Sequence, residues 1–263
     1  MKRSERHHLK ENPVAVTVAQ VSEWYRRQKR LLVVGAGVIL ALLVIVAGVF
    51  ARRAFQAQRA SGAFAEAMVV VDAPVVEPPA AAAEAAAADR TSPADAKPAF
   101  TQPPGTFPSV EARLEVALPK LLAVADAYPS TAQGIAARYQ AAAALALLGR
   151  PGDAEAQYRR VIDAAGGGIY GRMARLGLAD AHLTAGHYDQ AIELLQAVTN
   201  EPDLPVDAIL MRLGRAYELA GRPGDALTAY TRVIEEFPAS VYAADAEREV
   251  ESLKRQAPAA AGE

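Results

Sequence analysis

The sequence predicts an all-α protein: a single transmembrane helix followed by an α-solenoid of helical hairpins. Three observations carry that expectation. Residues 31–50 form an uninterrupted run of twenty uncharged, largely apolar residues. A pattern of glycine, alanine and a large side chain recurs three times in the second half of the chain. The composition is 52% hydrophobic but only 6% aromatic, which favours helices packed through small residues over a sheet. With no cysteine in 263 residues, disulfides, thiolate metal sites and cysteine nucleophiles are excluded.

Charge divides the chain. Residues 1–60 carry a net +8, residues 61–108 a net −4 and residues 109–263 a net −6. An acidic body lacks the clustered Lys and Arg that phosphate neutralisation needs, so the expectation is no nucleic acid partner. The basic end belongs to the membrane segment. Residues 31–50 make a helix of about 30 Å, the thickness of a bilayer's hydrocarbon core. Eight Lys and Arg precede it within thirty residues, and three follow within the next twenty. By the positive-inside tendency residues 1–30 are a basic cytoplasmic tail, with the rest across the membrane. The competing reading is a cleaved signal peptide. The thirty-residue basic region and the length of the apolar run favour an uncleaved anchor. Within the tail, Val14, Val18, Val21 and Tyr25 share one face of a short helix leading into the span, and Trp24 and Tyr25 suit the membrane interface.

Beyond the span, Ala63, Phe64, Ala67 and Met68 are spaced for a soluble juxtamembrane helix over 51–72. Residues 73–108 are rich in proline and alanine and too poor in large apolar side chains to form a core, which reads as a linker and spacer.

The repeat domain, 109–263, rests on self-similarity. Gly149, Ala154, Tyr158 and Val161 stand at the same intervals as Gly186, Ala191, Leu195 and Val198, and as Gly221, Ala226, Tyr230 and Val233. The six residues 149–154 are identical to 221–226. Each unit is a helix, a glycine-centred turn and a second helix. Glycine supplies a left-handed helix end, and Pro151 and Pro223 suit the first position of the next helix. The small alanines admit close helix approach, and Tyr158, Leu195 and Tyr230 fill the space beside the next unit. Ala117, Leu121 and Val124, ending at Tyr128-Pro129-Ser130, read as the second helix of an earlier unit, because Phe237-Pro238-Ala239 closes the last one in the same way. Residues 60–71 are the candidate first helix of that unit. Residues 241–254 form the terminal capping helix that a solenoid requires.

No catalytic constellation emerges, and the expectation is a non-enzyme without cofactor or metal. His7 and His8 lie in the basic tail, His187 in a turn, and His182 where sister units carry Leu145 and Tyr217, so it reads as a packed residue. Glycines 166–168 lack the Gly-Lys-Ser/Thr of a phosphate loop. What remains is recognition by shape. The first helices line the concave surface of such a stack. Their side chains not spent on packing within the repeat include Tyr139, Gln140 and Ala143, then Met173, Leu176, Asp180 and Leu183, then Met211, Arg212 and Arg215. These are the candidate partner-binding residues.

The glycine period of 37 and 35 residues, with Leu213, Gly214, Tyr217, Ala226, Tyr230 and Pro238, resembles the tetratricopeptide repeat. Repeats of this kind that clamp a terminal carboxylate use Lys and Asn where Tyr139 and Ala143 stand. The opening tail over 2–12, Trp24-Tyr25, the single span and the repeats from Tyr128 onward together resemble the YfgM-like proteins of Gram-negative bacteria. That resemblance implies an inner-membrane protein with a periplasmic repeat domain. It further implies association with a SecYEG-like channel, a PpiD-like chaperone and emerging secretory clients. A scaffold for another envelope complex, in cell division or outer-membrane assembly, is the alternative.

Overall fold

The structure, a computed structural model, describes residues 13–79, 100–199, 201 and 204–256. Two compact units are present, Met1–Phe55 and Gln56–Glu263. Among the described residues the chain forms nine helices. The tail residues 1–12 lie outside the described residues.

Helix α1, Pro13–Val71, begins at its proline, which has no N–H to lose in a first turn, and runs through the apolar stretch without interruption. Val33, Ile39, Leu43 and Ile45 are each about 60% exposed. An apolar helix with no protein covering it is costly in water, and this one is long and apolar enough to cross a membrane.

In the second unit the end of α1 joins the repeats. Ala67 is buried in one core with Leu114, Leu118 and Leu121 of α2 (Val110–Ala127), and Ala63, Phe64, Val70 and Val71 pack against that core. The proline- and alanine-rich stretch between α1 and α2 is tied at its two ends. Val75 pairs with Phe107, the Val76 N–H donates to the Phe107 carbonyl at 2.8 Å, and the Phe107 N–H donates to the Pro74 carbonyl at 3.0 Å. Arg113 of α2 donates to the Ala73 carbonyl at 3.0 Å. Residues 80–99 lie outside the described residues. The described ends of this stretch are thus bonded to each other and to α2.

Three hairpins follow: α3 (Ala132–Leu147) with α4 (Pro151–Ala165), α5 (Ile169–Thr184) with α6 (Tyr188–Val198), and α7 (Val206–Leu219) with α8 (Pro223–Glu236). Helix α9, Ala243–Gln256, packs on α8 through Ala246, Val250 and Leu253. It begins two residues later than the periodicity suggests, and Val241 is 85% exposed. Each helix from α2 onward packs on its chain neighbour, and α3 also meets α5, the nearest-neighbour contact pattern of a solenoid.

The turns are built alike. Gly149, Gly186 and Gly221 take φ of 70°, 79° and 70°, a left-handed conformation open to glycine at little cost. In each, the next residue's N–H donates five residues back to a carbonyl the first helix leaves unpaired: Arg150 to Leu145, His187 to His182 and Arg222 to Tyr217, at 2.8–2.9 Å. Pro151 and Pro223 then open α4 and α8. The earlier closing turn also repeats, since Tyr128 and Phe237 share φ near −133° with ψ of 51° and 55°.

The core forms two clusters that meet inside α5, one ending at Leu178 and the other starting at Ala179. Leu195, Val198, Leu210 and Val233 are completely buried, each contributing about 1.5–3 kcal/mol over an exposed position. Arg138 is also buried, and its guanidinium holds α2 to α4 by donating to the Ala125 carbonyl at 2.9 Å, Asp126 at 2.7 Å and Gln157 at 2.8 Å. Nothing in the periodicity of its alanine-rich helix marks that buried cation.

Candidate functional site

The first helices of the three hairpins place a polar and aromatic row side by side. Tyr139 of α3 is half-buried. Its ring lies 5.9 Å from that of Tyr158, tilted by 59°, and 5.9 Å from that of Tyr170, tilted by 53°, both within the range of favourable edge-to-face contact. Tyr158 reaches this row from α4 because α5 has Gly177 there. A Cβ on Gly177 would stand 2.4 Å from the tyrosine ring. Tyr230 makes the corresponding approach to Gly214, within its own hairpin rather than toward a neighbouring one.

Next along the row, Asp180 of α5 meets Arg212 of α7 across the hairpin boundary, with Oδ1 to Nε at 3.4 Å and both side chains half-exposed. Burial pushes the Asp180 carboxyl above its ordinary range, and Arg212 offsets only part of that. The Tyr139 phenol is pushed up by burial, with Asp180 adding to the effect and Arg212 opposing it. Tyr139, Asp180 and Arg212 are therefore one electrostatic neighbourhood drawn from three hairpins.

The other candidate residues fall into two groups. Leu176, Leu183 and Met211 are half-buried and pack against the second core cluster, so part of each is committed to packing. Gln140, Ala143 and Met173 are half-buried on the same first helices. Arg215 is exposed and pairs with Glu218 of its own helix at 3.5 Å, while Glu218 accepts the Tyr230 hydroxyl at 2.6 Å. Tyr170 is the residue that reading by spacing leaves out. It stands three residues before Met173, the separation of neighbours on one helix face, and that interval is the signal that finds it.

His182 is buried where packing called for it. Its Nδ1 has no hydrogen-bond partner and lies 4.0 Å from Glu155, and burial holds its pKa below the ordinary histidine value. Among the described residues no group of three or more His, Asp and Glu side chains is placed to hold a metal ion.

A stack of helical hairpins with a side-chain row running across its first helices is the architecture of a repeat scaffold that presents a surface to other proteins. The tetratricopeptide repeat family model matches residues 172–241, most of the second hairpin and all of the third. Such repeats mediate protein–protein interaction and are generally non-enzymatic scaffolds. Solved structures with some likeness include MamA, 16% identical with a TM-score of 0.44 over 54% of this chain and 88% of that one. MamA from Desulfovibrio magneticus RS-1 is 21% identical with a TM-score of 0.43, over 56% and 89%. A putative kinesin light chain of Podosopora anserina with nearly identical TPR-like repeats is 18% identical with a TM-score of 0.43, over 56% and 90%. Likeness at this level says nothing of partners. No curated protein matches the chain.

Proposed function

We propose that this protein is a membrane-anchored adaptor that works beside a SecYEG-like channel in the inner membrane and holds a PpiD-like chaperone or emerging secretory chains on the face lined by α3, α5 and α7. The observation that carries the reading is the row of Tyr139, Asp180 and Arg212 across three hairpins, in a chain whose α1 carries an apolar run that no protein covers. A row spanning several hairpins suits an extended or helical polypeptide better than a small molecule. The order of basic tail, span and repeats supports the choice of channel, and the excess of Lys and Arg before the span supports a cytoplasmic N-terminus with the repeats in the periplasm.

In vivo photo-crosslinking from positions 139 and 173 tests it. Recovery of channel subunits and unfolded secretory chains is the expected result. Exclusive recovery of a cell-division or outer-membrane assembly complex would replace the channel reading with that of an envelope scaffold. Protease added to spheroplasts is expected to degrade the repeats, and their survival would overturn the orientation.

A further inference from the structure

Two arginines stand where the apolar run of α1 ends, and the chain supplies them with no counter-ion. Arg52 and Arg53 follow Phe50 and Ala51 inside a helix that continues unbroken. Both are exposed, and among the described residues neither side chain has a hydrogen bond or an ion pair. No aspartate or glutamate occurs from residue 24 to residue 65. The next carboxylate, Glu66, lies thirteen positions beyond Arg53, far past the three or four at which helix side chains pair. Arginines of the repeats stand otherwise: Arg150, Arg159, Arg222 and Arg232 each meet a carboxylate three or four residues away at 2.6–2.7 Å.

Depth decides what can neutralise the pair. Residues 31–50 match the hydrocarbon thickness, so Arg52 and Arg53 fall among the headgroups as the helix leaves it. Adjacent residues of a helix point about 100° apart, so the two guanidinium groups fan around the axis and do not form one face for a single protein carboxylate. Lipid meets an uncovered span from every side, and a phosphate accepts two guanidinium donors at once. A zwitterionic headgroup balances its phosphate with its own ammonium, whereas an acidic one keeps a net negative charge that attracts cations at the surface.

We propose that Arg52 and Arg53 bind the headgroups of anionic phospholipids in the leaflet on the repeat side, giving α1 a shell enriched in acidic lipid at this end. The inference rests on α1 crossing a membrane and is independent of the channel and chaperone reading.

The test uses the full chain in phospholipid vesicles, with Trp24→Phe and Val46→Trp leaving one indole as reporter. Val46 is half-exposed and stands seven residues before Arg53, two turns deeper on the same helix face. Brominated acyl chains quench indole on contact. Quenching by dibromo-phosphatidylglycerol, compared with dibromo-phosphatidylcholine in mixed vesicles, therefore reads the relative affinity of the two lipids at this end. Phosphatidylglycerol is expected to be favoured about fivefold at low salt and to approach parity in about 0.5 M NaCl. Arg52→Gln and Arg53→Gln combined should bring the ratio to parity, and each alone should lose part of it. Lys29→Gln with Arg30→Gln, at the other end of the span, should leave the ratio unchanged. Circular dichroism matching the parent shows that the variants are helical, and the salt series gives a reading that needs no arginine substitution. Equal quenching by the two lipids in the parent overturns the proposal and leaves the span standing. So does a preference that survives the double glutamine variant, or one that is lost with Lys29 and Arg30 instead. Quenching by neither lipid overturns the proposal and the span together.

Discussion

The first and third hairpins share six identical turn residues, and the second does not; the structure shows what that difference does. In the first and third, Gly-Arg-Pro-Gly-Asp-Ala makes nearly superimposable turns. Arg150 and Arg222 have φ of −112° with ψ of 61° and 65°, and each donates from Nε to an aspartate three residues on at 2.8 Å. The second hairpin reaches the same left-handed glycine and the same five-residue backbone bond with His187, Tyr188 and Gln190 where the others have arginine, proline and aspartate. Its second helix is shorter, with 11 residues against 15 and 14. Turn geometry here depends on glycine and the unpaired carbonyls of the preceding helix, and the repeated hexapeptide adds to it without being required. Side-chain environment is where the second hairpin departs: it receives Tyr158 at Gly177, buries His182 and supplies Asp180.

The sharpest way to break this comparison is to fill the two glycine notches. Gly214→Ala and Gly177→Ala each put a Cβ about 2.4 Å from a buried tyrosine ring, and each is expected to cost about 2–3 kcal/mol in thermal or urea unfolding of the full chain in micelles. Gly214→Ala should be the more costly, because Tyr230 is also held by its hydroxyl on Glu218, and Tyr230→Leu should recover part of the loss. Equal tolerance at both sites would mean the tyrosines are loosely seated.

The turns come next. Gly149→Ala and Gly221→Ala force an L-residue to φ of 70° with no other clash, and both should lose about 1–2 kcal/mol. The shared hexapeptide requires the two losses to agree within experimental error. Unequal losses would show that neighbours, not the local conformation, set the cost.

Acid separates the second hairpin from its sisters. Burial lowers the His182 pKa in the folded state, with Glu155 opposing and His187 and Arg159 reinforcing. As pH falls below about 6.5 the unfolded chain takes up this proton before the folded one does, so the fold loses stability; above that value the contribution is flat. His182→Leu, the residue of the first hairpin, should flatten the dependence of the melting temperature between pH 7 and 5. An unchanged slope in the variant would assign the acid response to other groups.

The smallest difference lies between the twin arginines. Arg222 sits 4.8 Å over the Tyr217 ring, whereas Leu145 holds the corresponding place in the first hairpin. Arg222→Ala should therefore cost about 0.5 kcal/mol more than Arg150→Ala in the same unfolding experiment.

The candidate surface was legible in part. Tyr139, Asp180 and Arg212 follow from helical spacing, because residues three and four apart share a face whatever the helix packs on. Tyr170 escaped because it lies in the first turn, ahead of the repeat's recognisable positions. Leu176, Leu183 and Met211 share that spacing, yet each also packs against the second core cluster, and how far each leans into the core depends on the angle at which the next hairpin is laid down.

From the sequence alone come the apolar span, the number of hairpins, their glycine turns and the buried alanines. All of these are local, since a 3.6-residue period and the conformational freedom of glycine act within a few residues of the chain. Tertiary structure decided the rest: that Tyr158 enters the next hairpin while Tyr230 stays in its own, that the two ends of the proline- and alanine-rich stretch meet, and that Asp180 stands within reach of Arg212. Each joins positions 16 to 32 residues apart, and such a distance is set by how helices stack and where bulky side chains find a gap, which no local pattern encodes.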